Sequence, residues 1–414
     1  MLHRIVILND SSVAKGGATG LAVLSARLFA ARGYQVVFIS GDDGEGADLH
    51  RDGIRHIPLG GALLLDRPKW LAARDGLYNP AIRTRLEGIL ATLDSPETVY
   101  HLHGWSRILS PSVFEALAPY STRTFVHAHD YFLSCPNGVF YDYGQQQVCT
   151  RVAGSVGCLV RNCDKRSFAH KTWRAVRHVS LMHSFDQTLG WAGIVMIHPD
   201  MAPSLQRAGY ASSRLTHVRN PATAFSQNRV KAEDNQTIAF IGRIEPGKGV
   251  EGLCSAASDA GAELVVIGEG SLRAQLEAAH PDVRFTGWLD RTQIGEMMQS
   301  VRALVMPSAF PEPFGLVAAE ASMSGLPVIL STPALLSKDV ARYELGWTFD
   351  PLRKGSLTQA LLSCAALDRQ NIAELSRRAA GEQNPLAQTP HDWAEALLSL
   401  YSSALSPGLA VAAE

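Results

Sequence analysis

The stretch FPEPFGLVAAEASMSGLPV, residues 310–328, sets two glutamates, Glu312 and Glu320, eight positions apart around an apolar run. Prolines at 307, 311 and 313 bar regular helix before residue 313, whereas GLVAAEASMSG can run as helix from about Gly315 to Ser324. Glu312 is then expected in the loop and Glu320 inside the helix, leaning back toward the same mouth. The amides of Phe314, Gly315 and Leu316 open there at the positive end of the helix dipole, ready for an anion. Two carboxylates beside an anion site would repel the anion unless hydroxyls donate to them, as those of a sugar do. A second anion site is expected in TIAFIGRIEPGKGVEGL, residues 237–253, where Arg243 and Lys248 flank a turn of Pro246, Gly247 and Gly249 between a strand and a helix. Two cations suit a diphosphate, and with no D-x-D motif in the chain they take the neutralising part that a bound Mg²⁺ would otherwise play.

The elements that must hold these groups follow from periodicity. RIVIL, a glycine-bearing loop, a helix with Leu21, Leu24 and Leu28 on one face, Gly33 as its stop and QVVFIS make a βαβ unit. Apolar runs at 98–103, 123–129, 193–198 and 215–219 continue the pattern of a parallel sheet covered on both faces. After Asn220-Pro221 the alternation restarts, with TIAFIG, ELVVIG, VRFTG, RALVMP, PVILS and GWTFD as six short strands. The expected architecture is α/β, two Rossmann-like doubly wound domains facing across a cleft: residues 1–221 with a Cys-rich insert at 130–165, residues 222–385, and a final helix and loose tail over 386–414. Ligands of such sheets bind at the carboxyl ends of the strands.

Composition agrees with that plan. At 414 residues the chain exceeds one ordinary hydrophobic core, and 46% hydrophobic with 19% charged is a soluble, folded balance. A net charge of -1 gives no global attraction to nucleic acid or membrane. MLHRIVIL lacks the form of a signal peptide and no run is long enough to span a bilayer, so a cytoplasmic protein is expected, at the inner face of the membrane if it meets one.

Five motifs in order, GRIEPGK, VIGEG (266–270), FTGW (285–288), MPS (306–308) and E-P-F-G-L-x-x-x-E, resemble the retaining GT-B glycosyltransferases of family 4 over almost the whole C-terminal domain. The resemblance implies transfer of a sugar from a nucleotide diphosphate (UDP or GDP) to an acceptor hydroxyl, with catalysis that requires no metal. It implies that Glu312 faces the donor sugar, Glu320 the ribose, Arg243 and Lys248 the diphosphate, and the backbone near Trp288 the base. The N-terminal match is looser. AKGGATG (14–20) stands where the family has a Gly-Gly loop, which carries Gly16 and Gly17 over as donor-binding. HAHDYF (127–132) resembles its strand-end histidine motif, so His129 is carried over as catalytic, with Asp130 and the preceding His103 on the acceptor side. A glycan or lipid-linked acceptor from bacterial surface polysaccharide assembly is the usual setting of relatives with this look.

Other readings stand beside this one. A dinucleotide oxidoreductase is disfavoured because KGGATG lacks the G-x-G-x-x-G spacing. A GT-B epimerase or phosphorylase, or a non-catalytic sugar-binding protein, shares the fold. Cys135, Cys149, Cys158 and Cys163, spaced by 14, 9 and 5, match no standard finger, yet four thiols in one insert can close around a structural zinc; buried thiols are the plain alternative. RNCDKRSFAHKTWRAVRH, 161–178, carries six Lys or Arg against one Asp: a solvated face, or with the apolar loop GGALLLDRPKW (60–70) a contact for anionic membrane.

Overall fold

A computed structural model describes residues 1–14 and 16–405. The expected loose tail, 406–414, and Lys15 of the glycine loop lie outside the described residues. The chain divides into two units: residues 1–138 and 151–218 with the segment from 391 onward, and residues 139–150 with 219–390.

The first unit is built on seven parallel strands. They are β1 (Arg4–Asn9), β2 (Gln35–Ser40), β3 (Arg55–Pro58), β4 (Thr98–Leu102), β5 (Thr124–Ala128), β8 (Gly193–Met196) and β9 (Leu215–His217). Between β5 and β8 the chain makes a two-stranded hairpin, β6 (Tyr141–Asp142) and β7 (Gln147–Val148), which belongs to the second unit. The sheet order is β3-β2-β1-β4-β5-β8-β9. Ile5, Val6, Ile7 and Leu8 are each fully buried, as a strand covered on both faces requires. The helix Gly17–Ala31 packs Leu21, Ala22, Ala26 and Phe29 inward and ends before Gly33 at φ 86°. The last helix, Pro390–Leu405, packs Trp393, Leu397 and Tyr401 into this unit, Tyr401 meeting Phe29 and Phe125 edge-on or tilted.

The second unit has six parallel strands, β10 (Thr237–Ile241), β11 (Leu264–Ile267), β12 (Arg284–Gly287), β13 (Val301–Met306), β14 (Val328–Ser331) and β15 (Gly346–Phe349). Their order, β12-β11-β10-β13-β14-β15, reverses direction between β10 and β13, the switch point at which doubly wound sheets place ligands. Ile238, Phe240, Val266, Val305 and Ile329 form its core against Leu253 and Leu361.

Three sequence expectations need correction. The insert is not one loop region, because residues 139–150 group with the second unit and the rest with the first. The first sheet has an edge strand, β3, whose sequence RHIP carries no apolar run. The basic stripe is a solvated face only in part: Lys165 and Arg166 are exposed, but Lys171 and Arg177 are buried and Arg174 pairs with Asp164 at 2.9 Å, because they lie on the inner side of the helix Phe168–Ser184.

Candidate functional site

In the second unit, the turn after β10 is drawn against the loop after β13. Gly249 begins the helix Val250–Ala260 with φ 76°, and a Cβ there would stand 2.1 Å from the Pro307 carbonyl oxygen, so only glycine permits the approach. Ala309 N–H donates to the Gly247 carbonyl at 2.9 Å, lacing the two segments together. Lys248 is thereby delivered to Glu312: Nζ lies 2.6 Å from Oε2, and the ammonium also sits 4.9 Å from the centre of the Phe310 ring. Ser308 Oγ donates to the same carboxylate oxygen at 2.9 Å. Burial works to raise the Glu312 pKa, but the Lys248 charge and hydrogen bond, the Ser308 bond and the charge of Arg243 outweigh it and leave the carboxyl below its ordinary range. Arg243 itself is exposed.

The helix Leu316–Met323 starts at Gly315, whose φ of 86° sets the turn, and Phe314 anchors that turn in the core at 2% exposure. Among the described residues the amides of Phe314, Gly315 and Leu316 donate to no backbone carbonyl, as the first turn of a helix dictates. Glu320 lies inside this helix, as expected, but its partner differs from that of Glu312. Its carboxylate pairs with Arg291 at 2.7 Å; burial lifts its pKa and the Arg291 charge only partly opposes this. Arg291 in turn donates to the carbonyls of Thr223 and Ala224 and stacks its guanidinium over Phe225. A cavity of about 510 Å³ opens beside these residues, lined by segment 222–227 with Arg229, Met323 and segment 380–382. Sequence reasoning passed over Arg291. Its one visible mark was the D-x-x-Q capping box of Asp290 and Gln293, which locates a helix start and says nothing of a partner. Trp288, expected near a base, is 73% exposed after β12.

In the first unit, the helix Gly17–Ala31 opens from Gly16, whose φ of -176° is ordinary extended backbone, and Gly16 and Gly17 are both exposed. No left-handed turn or close packing demands glycine at 16. His103 and His129 do meet, Nδ1 to Nε2 at 3.0 Å, at the ends of β4 and β5. They belong to a larger stack that includes His101 and His127, which the sequence reading left out. His127 Nδ1 and His101 Nε2 lie 3.1 Å apart, and the other side of His101 reaches the Tyr401 hydroxyl at 2.5 Å. His101, His103 and His127 each bring a ring nitrogen within 4.8 Å of the others. The rings of His101 and His127 are 19° from parallel, those of His103 and His127 25° and those of His101 and His103 44°, so the three form a tilted stack. Burial, reinforced by neighbouring rings, holds His101, His103 and His127 well below the usual imidazole range, and burial pushes His129 down to about 3. Burial also pushes Asp130 up to about 6, against a hydrogen bond from the Phe132 amide. Asp10, at the end of β1, was likewise unforeseen; it accepts the amides of Arg107, Ile108 and Leu109 and fixes the loop after β4.

Of the insert's cysteines, Cys135, Cys158 and Cys163 are buried in the first unit, whereas Cys149 lies beyond β7 in the second. Among the described residues no helix is long and apolar enough to cross a membrane.

The family Glycosyl transferases group 1 matches residues 222–379, the span that holds Arg243, Lys248, Glu312 and Glu320. Glycogen synthase of Mycobacterium tuberculosis is 26% identical over 278 residues, covering 62% of this chain and 63% of that protein, so the chain spans under two thirds of that relative's length. The GDP-mannose-dependent alpha-mannosyltransferase of the same organism is 35% identical over 103 residues, 25% of this chain and 27% of that one. Among solved structures, HepE of Anabaena, crystallised with UDP, superposes with a TM-score of 0.66 at 14% identity, covering 97% of this chain and 100% of that one. Two Rossmann-like units with these strand orders are the fold of the GT-B glycosyltransferases. Over residues 222–379 the chain is thus similar to the glycosyl transferases group 1.

Proposed function

We propose that the protein is a retaining glycosyltransferase that moves a sugar from a UDP- or GDP-sugar to an acceptor hydroxyl. The observation that carries this reading is the Lys248–Glu312 pair, 2.6 Å apart, beside the open amides of residues 314–316. A cation and a helix start favour the departing diphosphate, and a carboxylate next to them accepts hydroxyl groups of the sugar it leaves. In the step proposed, the bond from the anomeric carbon to the phosphate oxygen breaks and one to the acceptor oxygen forms on the same face. The leaving phosphate takes the acceptor proton. Lys248, Arg243 and the amides stabilise the charge that develops, and no residue is assigned as a covalent nucleophile. Glu320, already carrying a partner in Arg291, is assigned to the ribose, and the backbone at Trp288 to the base.

His129, His103 and Asp130 are assigned to the acceptor side on the family resemblance. With Nε2 engaged by His103, a neutral His129 offers its Nδ1 to a single oxygen, which suits orientation of a hydroxyl rather than charge stabilisation. The acceptor class proposed is a glycan or lipid-linked oligosaccharide, with peripheral contact at an anionic cytoplasmic membrane surface through exposed Leu65, Trp70 and Phe168 of the first unit. The mannosyltransferase relative named above supports a GDP-sugar and the HepE complex a UDP-sugar.

A thermal-shift panel of UDP, GDP, ADP and their sugars, followed by a transfer assay with the stabilising donor, tests the proposal. A nucleotide that binds only the folded chain raises its melting temperature. Stabilisation by one nucleotide and its sugar, with transfer to a hydroxyl acceptor, is expected. Interconversion of the donor's own sugar, release as sugar phosphate, or binding without turnover would assign the epimerase, phosphorylase or binding-protein reading instead.

A further inference from the structure

Lys171 is an ammonium-bearing side chain only 1% exposed, yet among the described residues its one hydrogen-bond partner is a sulfur, Cys158 Sγ at 3.4 Å. Three residues along the same helix, Arg174 shows what a buried cation ordinarily obtains: its guanidinium pairs with Asp164 at 2.9 Å. Lys171 has no carboxylate. Cys135 and Cys163 are buried in the same unit as Cys158, and the segments that carry them are joined by the Asn137 Nδ2 bond to the Cys163 carbonyl. A buried ammonium is stable beside negative charge, and neutral thiols supply almost none. Thiolates supply it, but three of them around one lysine leave an excess of negative charge in a dry pocket. A divalent, thiolate-seeking cation removes that excess.

We propose that Cys135, Cys158 and Cys163, three of the four insert cysteines expected at a zinc, supply three thiolate ligands of a structural zinc ion, with Lys171 donating a hydrogen bond to the Cys158 sulfur. Each thiol releases its proton to solvent as its bond to zinc forms, and no redox change accompanies binding. The supporting structure fits a fixed site. Cys158 sits in a short helix capped by Ser155, whose Oγ accepts from the Cys158 amide at 3.3 Å. Asn137 Nδ2 donates to the Cys163 carbonyl at 3.0 Å, and Arg174 Nη1 donates to Asn137 Oδ1 at 2.9 Å. The three cysteine segments are therefore tied to the helix Phe168–Ser184 through Lys171 and Arg174. Zinc at this place stiffens the insert next to Asp130 and takes no part in glycosyl transfer, so the inference does not depend on the function proposed above.

The test is metal analysis of full-length protein produced in zinc-supplemented medium and purified without a histidine tag. About one zinc per chain is expected, falling below about a tenth in C158S and in C163S. It should stay unchanged in C254S and C364S, whose thiols are buried in the second unit. Should the cysteine variants fail to fold, Co²⁺ titration of the unaltered protein decides: thiolate-to-metal charge transfer with intense tetrahedral visible bands is expected. In chelator competition, Lys171→Met should weaken zinc binding about 10- to 100-fold, the usual cost of losing a partner to a metal ligand. Purified protein without zinc, zinc retained in both C158S and C163S, or Co²⁺ spectra lacking thiolate bands would overturn the site. An unchanged affinity in Lys171→Met would overturn the part given to Lys171.

Discussion

Lys248 Nζ stands 2.6 Å from Glu312 Oε2, with the two side chains 18% and 19% exposed, so in the resting protein the cation is neutralised by the carboxylate beside it. An arriving diphosphate competes for that ammonium, and the sugar hydroxyls then supply the hydrogen bonds that Glu312 gives up. Lys248→Met is expected to lower kcat/KM for the donor by about 10²–10³-fold, the range for removing one donor to developing charge. Glu312→Gln should lower kcat while leaving affinity for the bare nucleotide diphosphate unchanged or tighter. Isothermal titration with the diphosphate beside steady-state kinetics checks both, and a large loss of diphosphate affinity in Glu312→Gln would contradict the assignment.

Glu320 and Arg291 form a separate pair, bonded to the carbonyls of Thr223 and Ala224 through the arginine. Glu320→Ala should abolish the nucleotide-induced rise in melting temperature while the unliganded protein still melts cooperatively. A retained shift would remove the ribose role.

The four stacked histidines predict a pH dependence of stability. His101, His103 and His127 are held well below the ordinary value of 6.5, and His129 at about 3, by burial above all. The unfolded chain therefore binds protons below pH 6.5 that the folded chain does not, and stability is full above that value and lost as pH falls through it. The slope is bounded by about 5 kcal/mol per pH unit, the limit in which all four titrate only when unfolded. Urea unfolding at a series of pH values checks this, and a midpoint flat from about pH 7.5 to 5 would refute it.

Gly249→Ala should destabilise the second unit by about 3 kcal/mol or more, because it adds a Cβ at φ 76° where the Pro307 carbonyl is 2.1 Å away. The same change should weaken donor binding, since that approach is what carries Lys248 to Glu312. Denaturant melts and donor titration report the two effects.

The membrane contact proposed through Leu65, Trp70 and Phe168 should depend on these apolar side chains as well as on lipid charge, because Lys171 and Arg177 of the basic run are interior while Lys165 and Arg166 are exposed. Flotation with anionic and neutral liposomes, repeated with Trp70→Ser, is expected to show binding to the anionic vesicles that Trp70→Ser largely removes. No flotation with either lipid would sink the idea.

The central strands were legible because a strand buried on both faces reads as an unbroken apolar run, as Ile5 to Leu8 does; β3 was not, since RHIP at an edge needs no such run. Lys248 and Glu312 were each legible from motif chemistry, but their salt bridge spans 64 positions and depends on the approach of Gly249 to Pro307. Glu320 was placed on the right helix without its partner, since nothing local links it to Arg291. The histidine stack was half legible. HLH and HAH each put two rings on one face of a strand, and only the pairing of β4 with β5 sets those faces side by side. The buried Lys171 and Arg177 were misread because charge was counted along the run instead of around the helix.

Tyr401 closes the histidine stack from the far end of the sequence, 300 positions after His101. During synthesis, the sheet around His101, Phe29 and Phe125 therefore keeps an apolar face uncovered until Tyr401 has emerged from the ribosome.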